Sequence, residues 1–229
     1  MKHSQFLILA LMLLLTSCAE KYFIEGTSSQ FIKDGTKAYI IPLDNGPTDF
    51  PLDSCEVLHG QFHMTGAVDS VMMVRLKLGE DNFPIVIEQG QLFITIENNQ
   101  VKIEGTELND RLYKFLTQTD SIRLLYDDLP HRESMMYLDG YTSDEIVEEL
   151  AAEENRLQNE LDRLETQFVR DNFDNTLGQT WFLRMCYDAE QYYGFPTTTP
   201  QIDEIYLLAP DAFKNNQQIK EYMNRVNGQ

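Results

Sequence analysis

The period of the apolar residues changes once along this chain, at Thr106, and that change constrains the fold more than any other feature. From Tyr22 to Gly105 apolar and polar residues alternate, which is typical of half-buried strands. From Thr106 onward apolar residues recur every three or four positions, which is typical of helices that bury one face. We therefore expect an α+β protein with an antiparallel β domain at 22–105 and a helical domain at 106–229.

Eight strand-like runs lie in the first half. They are Tyr22–Gly26, Lys37–Leu43, Cys55–Leu58, Gln61–Met64, Val71–Leu78, Pro84–Glu88, Gln91–Glu97 and Val101–Glu104. His59-Gly60 and Gln89-Gly90 fit two-residue hairpin turns, because glycine tolerates the positive φ such turns need, and Asn98-Asn99-Gln100 is a polar turn. Many short strands joined this way predict an antiparallel β-sandwich or barrel.

The helical half opens with a predicted helix that has Thr106 as its N-cap. Pro130 should stop this helix or lie just beyond its end, because proline cannot donate a helical hydrogen bond. A capping box, Thr142-Ser-Asp-Glu145, then opens a long helix that should run to about Asn172.

The rest of the helical half is predicted to be a hairpin followed by short helices. The polar link 172–175 leads into a second capping box, Thr176-Leu-Gly-Gln179, which indicates an antiparallel partner for the long helix. Thr199-Pro200 and Ala209-Pro210 each place proline at a first helical turn, so we expect two short closing helices.

The long helix carries apolar residues at heptad spacing. One row is Leu150, Leu157 and Leu164, and a second is Leu161 and Phe168, interrupted by Glu154. Such a seam fits either self-association as a coiled coil or packing of an amphipathic helix within its own domain. We favour packing within the domain.

The N-terminus has the layout of a bacterial lipoprotein signal. Lys2 and His3 precede an apolar run from Phe6 to Leu15, and Thr16-Ser17 stands directly before Cys18. A membrane span would need roughly 20 apolar residues, and an ordinary secretory signal would end in an A-x-A-like site. We therefore expect residues 1–17 to be a signal peptide, Cys18 to carry the lipid and 18–21 to be a tether.

Charge narrows the range of partners. The chain has 37 acidic and 18 basic side chains, a net charge of -19. Such a surface repels phosphate backbones and anionic lipids, which argues against nucleic acid binding and against electrostatic adhesion to a membrane. The expected location is the cell envelope, at the outer membrane of a Gram-negative bacterium, held by lipid on Cys18.

Cysteines and histidines offer no clear chemistry. Cys55 and Cys186 could form one disulfide in an oxidising compartment, or could both be small buried hydrophobic residues, and no C-x-x-C motif is present. His59 and His63 are four apart, as metal ligands on a helix can be, but they lie in and after a predicted turn. We interpret them as solvent-facing residues and expect no metal site, cofactor or catalytic residue.

Two further clusters allow a functional and a structural interpretation. The acidic cluster is Asp144, Glu145, Glu148, Glu149, Glu153 and Glu154. It lacks a calcium-binding loop, so a solvated helix face is the favoured interpretation. The aromatic cluster is Trp181, Tyr187, Tyr192, Tyr193 and Phe195. It could line a groove, but its spacing favours core packing, with partial exposure of 192–196.

Several short segments together carry a family resemblance. They are Tyr22-Phe-Ile-Glu-Gly26-Thr27, Lys37-Ala-Tyr39-Ile, Asp53-Ser54, Gly60-Gln-Phe62, Gly66, Leu78-Gly79, Pro84-Ile-Val-Ile-Glu88-x-Gly90, Ile103-Glu-Gly105-Thr106-x-Leu108-Asn109-Asp110 and Pro210-Asp-Ala-Phe213-Lys-Asn215-Asn216. As a set, spread over most of 22–226, they resemble a domain of unknown function in Bacteroidota lipoproteins. In that family the domain usually precedes a thioredoxin-like, peroxiredoxin-related disulfide reductase domain.

The resemblance implies an accessory module without the enzyme, because the chain stops at Gln229 and has no W-C-x-x-C motif. We therefore expect a non-catalytic envelope lipoprotein that serves as an interaction unit, with a separately encoded thioredoxin-like protein as one possible partner. A small-ligand or glycan-binding lipoprotein is the second hypothesis, and an unrecognised thiol enzyme is the third.

Overall fold

The computed structural model describes residues 20–29, 32–43, 50–97 and 100–228. Within these ranges eight strands precede six helices, which confirms the α+β class. The strands are β1 (Lys21–Ser28), β2 (Lys37–Pro42), β3 (Asp53–Glu56), β4 (Gln61–Ala67), β5 (Met72–Leu78), β6 (Asp81–Ile87), β7 (Gly90–Glu97) and β8 (Gln100–Glu104). The helices are α1 (Glu107–Leu138), α2 (Ser143–Asp171), α3 (Thr176–Tyr193), α4 (Pro200–Leu208), α5 (Asp211–Lys214) and α6 (Gln217–Val226).

The strands form two four-stranded sheets. The outer sheet has the order β4-β1-β7-β8, and the central sheet has the order β3-β2-β5-β6. Neighbouring strands are antiparallel except β1 and β7, which pair in parallel with Tyr22 opposite Gly90 and Ser28 opposite Ile96. A parallel pair needs a long connection, and five strands separate β1 from β7 in the chain.

The two sheets pack face to face as a sandwich, not as a barrel, since each keeps its own edge strands. Side chains that alternate along the strands fill the space between the sheets, as the period of two predicts. The outer sheet contributes Ile24, Phe62, Leu92, Ile94 and Ile103, and the central sheet contributes Ala38, Ile40, Val74, Leu76 and Ile85.

The helices cover the opposite face of the central sheet. Met73 on β5 and Val86 on β6 are buried in the helical core, not in the sandwich core. Helix α3 contacts β5 and supplies Trp181, Phe182 and Cys186 to the same core. The molecule therefore has three layers, in which the central sheet is buried on both faces.

One of the predicted hairpin turns is correct and one is wrong. His59 and Gly60 both have positive φ, at 54° and 73°, and the backbones of Leu58 and Gln61 pair across them. Gln89-Gly90 does not close a hairpin, because β6 belongs to the central sheet and β7 to the outer sheet. The turn residues mark a change of direction there without specifying which sheet the next strand joins. Asn98 and Asn99 of the third predicted turn lie outside the described residues.

The prediction that Pro130 ends the first helix is wrong. Pro130 lies inside α1, which continues to Leu138. Proline leaves the carbonyl of Tyr126, four residues earlier, without its helical donor. Pro130 is exposed, so water can satisfy that carbonyl and the helix can continue.

The predicted boundaries of the helix hairpin are nearly right. Thr142 and Glu145 form the expected capping box, and α2 ends at Asp171, next to the predicted Asn172. The second predicted box is wrong, because the cap is Asn175, whose side chain accepts a hydrogen bond from the Leu177 amide at 2.9 Å.

The closing region has three short helices where two were predicted. Thr199 caps α4 and Pro200 occupies its first turn, as expected. Pro210 is itself the N-cap residue of α5, not a first-turn residue, and Asn216 caps the additional helix α6.

The heptad residues of α2 pack within this chain, which confirms the favoured interpretation. Leu157 and Phe168 are buried, and α2 contacts α1, α3 and α4. Phe168 stacks on Phe115 of α1 at 3.9 Å between ring centroids, and Trp181 meets Phe115 edge-on at 4.7 Å. The apolar seam therefore faces its own neighbours.

Candidate functional site

The segments that carry the family resemblance have structural roles in the sandwich. Two of their glycines allow an aromatic ring to lie directly against the backbone. A Cβ on Gly26 would lie 2.0 Å from the Phe62 ring, and a Cβ on Gly66 would lie 2.6 Å from the Tyr22 hydroxyl. That hydroxyl donates a hydrogen bond to Asp53 at 2.7 Å, which links the outer sheet to β3 of the central sheet. These residues join the two layers of the sandwich.

A second group of these residues joins the central sheet to α1. The side chain of Asn109 is fully buried and pairs with the backbone of Val86, accepting from its N–H at 2.9 Å and donating to its carbonyl at 2.8 Å. The amide group thus pairs with part of the edge strand β6, as a neighbouring strand would.

Glu88 supplies the cap that was predicted for Thr106. Its Oε1 accepts hydrogen bonds from the amides of Leu108 at 2.8 Å and Asn109 at 3.2 Å, at the positive end of the α1 dipole. Thr106 occupies the N-cap position but makes no side-chain cap, because its hydroxyl accepts from the Asn109 side chain instead.

Histidines and the acidic cluster lie on the surface, as predicted. The His59 side chain is 91% exposed, 3.3 Å from Asp34, and His63 is exposed on β4. Glu145 belongs to the helix cap, and Glu153 pairs with arginines on α1 and α2. In the ranges that the structure describes, no three potential ligands are close enough to hold a metal ion.

The two described cysteines are free and lie in different cores. Cys186 is fully buried on α3, and burial raises the pKa of its thiol to about 12. Cys55 is half-buried on β3, and its pKa is raised chiefly by burial and further by Asp53, against a hydrogen bond from the His63 backbone. A thiol with a raised pKa is a poor nucleophile at neutral pH.

Cys18 and the predicted signal peptide lie outside the described residues. In the ranges that are described, no helix combines the length and the apolar character that crossing a membrane requires.

The aromatic cluster was only partly assigned correctly. Trp181 is a core residue, as predicted, whereas Tyr187, Tyr192, Tyr193 and Phe195 are half or more exposed. Gly194, in the left-handed conformation, caps the C-terminus of α3, so Tyr192 and Tyr193 lie in the last turn of the helix and Phe195 lies just beyond it. The predicted exposure of 192–196 is confirmed for its tyrosines and for Phe195.

Trp181, Tyr192 and Tyr193 line a pocket of about 270 Å³ between α2, α3 and α4, here called the Trp181 pocket. Its lining includes Gln158, Asp162, Glu165, Trp181, Arg184, Asp188, Tyr192, Tyr193, Thr199 and Gln201. No sequence motif pointed to Asp162, Glu165 or Gln201. One signal was available, because Glu165 lies between Leu161 and Phe168 on the apolar stripe of α2.

Glu165 is the most perturbed acid of the pocket. Its pKa is raised, first by burial and then by Asp162, while Arg184 and Arg123 oppose the shift. Trp181 also favours the ionised form of this carboxylate.

The other polar groups of the pocket are held in place. Asp162 accepts a hydrogen bond from Gln158 at 2.6 Å, and Gln201 donates to the Asp162 carbonyl at 2.8 Å. The Arg184 guanidinium lies over the Trp181 ring at 4.6 Å and 3.7 Å from Asp188. Several polar groups of the lining are therefore held by contacts within the protein, and its arginine is engaged with Asp188 and Trp181.

A second feature is the far end of the α1–α2 hairpin, residues 124–150, here called the hairpin tip. Its exposed apolar side chains are Leu124, Leu125, Met135, Tyr137, Leu138, Tyr141 and Val147. Leu124, Leu138 and Val147 are 69%, 80% and 67% exposed, so most of the surface of each residue faces solvent. The same segment has eight carboxylates and one arginine, Arg132, which pairs with Glu153 at 3.2 Å.

Comparison with known families gives one result. Residues 22–112 match the family model described as "Domain of unknown function (DUF4369)". The match covers the sandwich and the first turns of α1, including Glu88 and Asn109, whereas the Trp181 pocket and the hairpin tip lie outside it. No curated protein matches the chain.

Proposed function

We propose that this chain, whose sandwich matches a domain of unknown function, is a lipid-anchored accessory module of the bacterial cell envelope that binds a protein partner and catalyses no reaction. The observation that carries the proposal is the hairpin tip. Large exposed apolar patches mark interaction sites, and seven exposed apolar side chains fall within this one segment.

The charge around the tip specifies the partner's chemistry. Its carboxylates outnumber basic residues eight to one, so the complementary surface is apolar with a rim of lysine and arginine. A second copy of this chain would bring like charges together. The family resemblance suggests a separately encoded thioredoxin-like protein as the first candidate to test.

Substitutions at the tip test the interaction. We expect Leu124→Ser with Leu138→Ser to abolish a cross-link formed in intact envelopes from a photoreactive residue placed at Tyr141. The matched control is Leu207→Ser on α4, which removes an apolar side chain that is 77% exposed outside the tip. Cross-linking that survives in the tip variant, or a product that contains only this chain, would contradict the proposal.

Lipidation is tested at Cys18, because its sulfur is the expected attachment atom. Cys18→Ala should abolish fatty-acid labelling and release the protein from the membrane fraction. Cys55→Ala, which changes another cysteine, should leave both unchanged. Labelling that persists without Cys18 would refute the anchor.

Thiol exchange is the enzymatic alternative, and the buried cysteines give a sharp expectation for it. The purified protein should reduce a disulfide substrate no faster than the thiol reductant alone, because neither thiol has the lowered pKa of an attacking group. Turnover above background that disappears in Cys55→Ala or Cys186→Ala would instead make this protein a thiol enzyme.

A small-ligand or glycan-binding lipoprotein is a second candidate function, which the Trp181 pocket favours. A pocket lined by aromatic rings together with a few polar and charged side chains is typical of ligand sites. A ligand screen by thermal shift tests this candidate, since saturating binding raises the melting temperature.

A further inference from the structure

We infer that the Trp181 pocket binds a primary ammonium group, presented either by a free alkylamine or by a lysine side chain of a peptide. The inference rests on the ligand-binding candidate and names the chemistry of its ligand. It is independent of the hairpin tip.

The balance of charge in the pocket supports a cationic ligand. Asp162, Glu165 and Asp188 line it, and Arg184 is the only basic residue among the described residues of the lining. Arg184 is already engaged with Asp188 and with the Trp181 ring. In the described structure no lysine, arginine or histidine nitrogen lies within 4.0 Å of the Asp162 or Glu165 carboxylates.

Burial makes an added cation favourable at this place. A carboxylate that has lost water without gaining an ion pair is costly, and the cost falls when a cation enters. Glu165 is such a group, because burial and Asp162 both raise its pKa. An anionic ligand would be repelled, and a neutral saccharide would add no positive charge beside Asp162 and Glu165.

The aromatic residues at the pocket mouth favour the same ligand. Tyr192 is 83% exposed, and its ring meets that of Tyr193 edge-on at 4.9 Å between centroids. The face of an aromatic ring attracts a cation within about 6 Å, and the attraction grows when water is excluded. A pocket of about 270 Å³ is also just below the usual range for drug-sized ligands, so it suits one side chain better than an oligosaccharide.

Trp181 provides a direct readout, because it is the chain's only tryptophan and lines the pocket. The probes are butylamine, Nα-acetyl-lysine amide and its Nε-acetylated form, which keeps the same alkyl chain but ends in a neutral, larger amide. Glucose and N-acetylglucosamine test the neutral saccharide alternative. We expect the two amines to change Trp181 fluorescence saturably and to raise the melting temperature, and the three neutral probes to do neither.

A pair of variants assigns the binding to this pocket. Asp162→Asn with Glu165→Gln should weaken amine binding about tenfold or more, because both compensating charges are lost. The matched control is Glu148→Gln with Glu149→Gln, which removes the same charge from exposed positions of α2 and should not weaken binding. Tyr192→Ala, at an exposed position that folding does not require, should weaken binding several-fold.

The possible outcomes are separable. Tighter binding of a Gly-Gly-Lys-Gly-Gly peptide than of butylamine assigns the ammonium group to a peptide, and equal binding assigns it to a free amine. Saccharide binding without amine binding overturns this inference and leaves the ligand-binding candidate standing. No binding of any probe overturns both, and amine binding that the surface control weakens as much as the pocket variant also overturns the inference.

Discussion

Single buried or half-buried side chains of this protein act as links between its layers. Asn109 substitutes for a strand along part of β6, Glu88 replaces the expected cap of α1, and Tyr22 bridges the sheets through Asp53. Each partner lies at least 20 residues away in the chain. Side chains that look like functional candidates in a motif can therefore have a purely architectural role.

Asn109→Ala should lower the free energy of unfolding by about 1–3 kcal/mol, because it leaves the buried N–H and carbonyl of Val86 unpaired. Urea denaturation measures the change. Asn82→Ala removes an amide from an exposed position and should change stability by less than about 0.5 kcal/mol. Equal effects of the two substitutions would mean that the Asn109 pairing does not stabilise the fold.

Glu165 predicts a specific dependence of stability on pH. Its folded pKa is raised above the ordinary value of 4.5, so its contribution is complete below that value and is lost as pH rises through the raised pKa. The glutamine of Glu165→Gln stays neutral at every pH, so the variant should not lose this stability as pH rises. We therefore expect the variant to be more stable than wild type at neutral pH.

Urea denaturation from about pH 4 to about pH 8 measures this difference. Asp162, Arg184 and Arg123 also act on the carboxylate, so their charges must be retained in the comparison. Parallel pH profiles of wild type and variant would show that Glu165 is not perturbed in the folded state.

At the level of elements, the long helices illustrate how packing decides a boundary that local preference leaves open. Pro130 does not stop α1, since its exposed backbone can bind water and α2 packs alongside. The α2–α3 turn is equally dependent on contact, because a Cβ on Gly178 would lie 2.1 Å from the Asn172 carbonyl. The glycine allows α3 to start directly against the end of α2.

Pro130→Ala should stabilise α1 locally, because alanine restores the missing hydrogen bond and is preferred to proline by about 3 kcal/mol in helix interiors. We expect slower amide hydrogen exchange in residues 126–138 and a gain of about 1–3 kcal/mol at those amides. Pro200→Ala is the matched control, since a first-turn proline costs the helix nothing. A gain at residue 200 equal to that at 130 would refute this explanation.

At the scale of the whole molecule, the central sheet makes the two halves interdependent. Its β5 strand supplies Val74 and Leu76 to the sandwich core and Met73 to the helical core. Removing the helices would expose Met73 and Val86, and removing the strands would leave the helical core open on that side. The pocket and the hairpin tip both lie on the helical side of this assembly.

Separate fragments 20–105 and 106–228 should therefore fail to form two independently stable domains. Each fragment should melt without a cooperative transition or aggregate, whereas the two expressed together should restore cooperative melting. Two fragments that each melt cooperatively in isolation would show that the layers fold as separate domains.

Local patterns in the sequence determined the elements of this protein. The alternation of apolar and polar residues predicted the eight strands. The helical spacing of apolar residues and the Thr142 capping box predicted the long helix, and the run of acidic residues predicted its solvated face. Each of these features depends on residues within a few positions of one another, so the interactions that produce it lie within a single segment of the chain. The lipid on Cys18 remains a prediction from the same kind of local pattern.

Only the tertiary structure decided which elements meet. The parallel pairing of β1 with β7, the crossing at Gln89-Gly90 and the cap from Glu88 depend on residues far apart in the chain. The Trp181 pocket is likewise assembled from α2, α3 and α4, and each helix alone contributes ordinary surface residues to it. Burial of a charge and enclosure of a cavity are properties of packed surfaces, and they exist only once distant segments have come together.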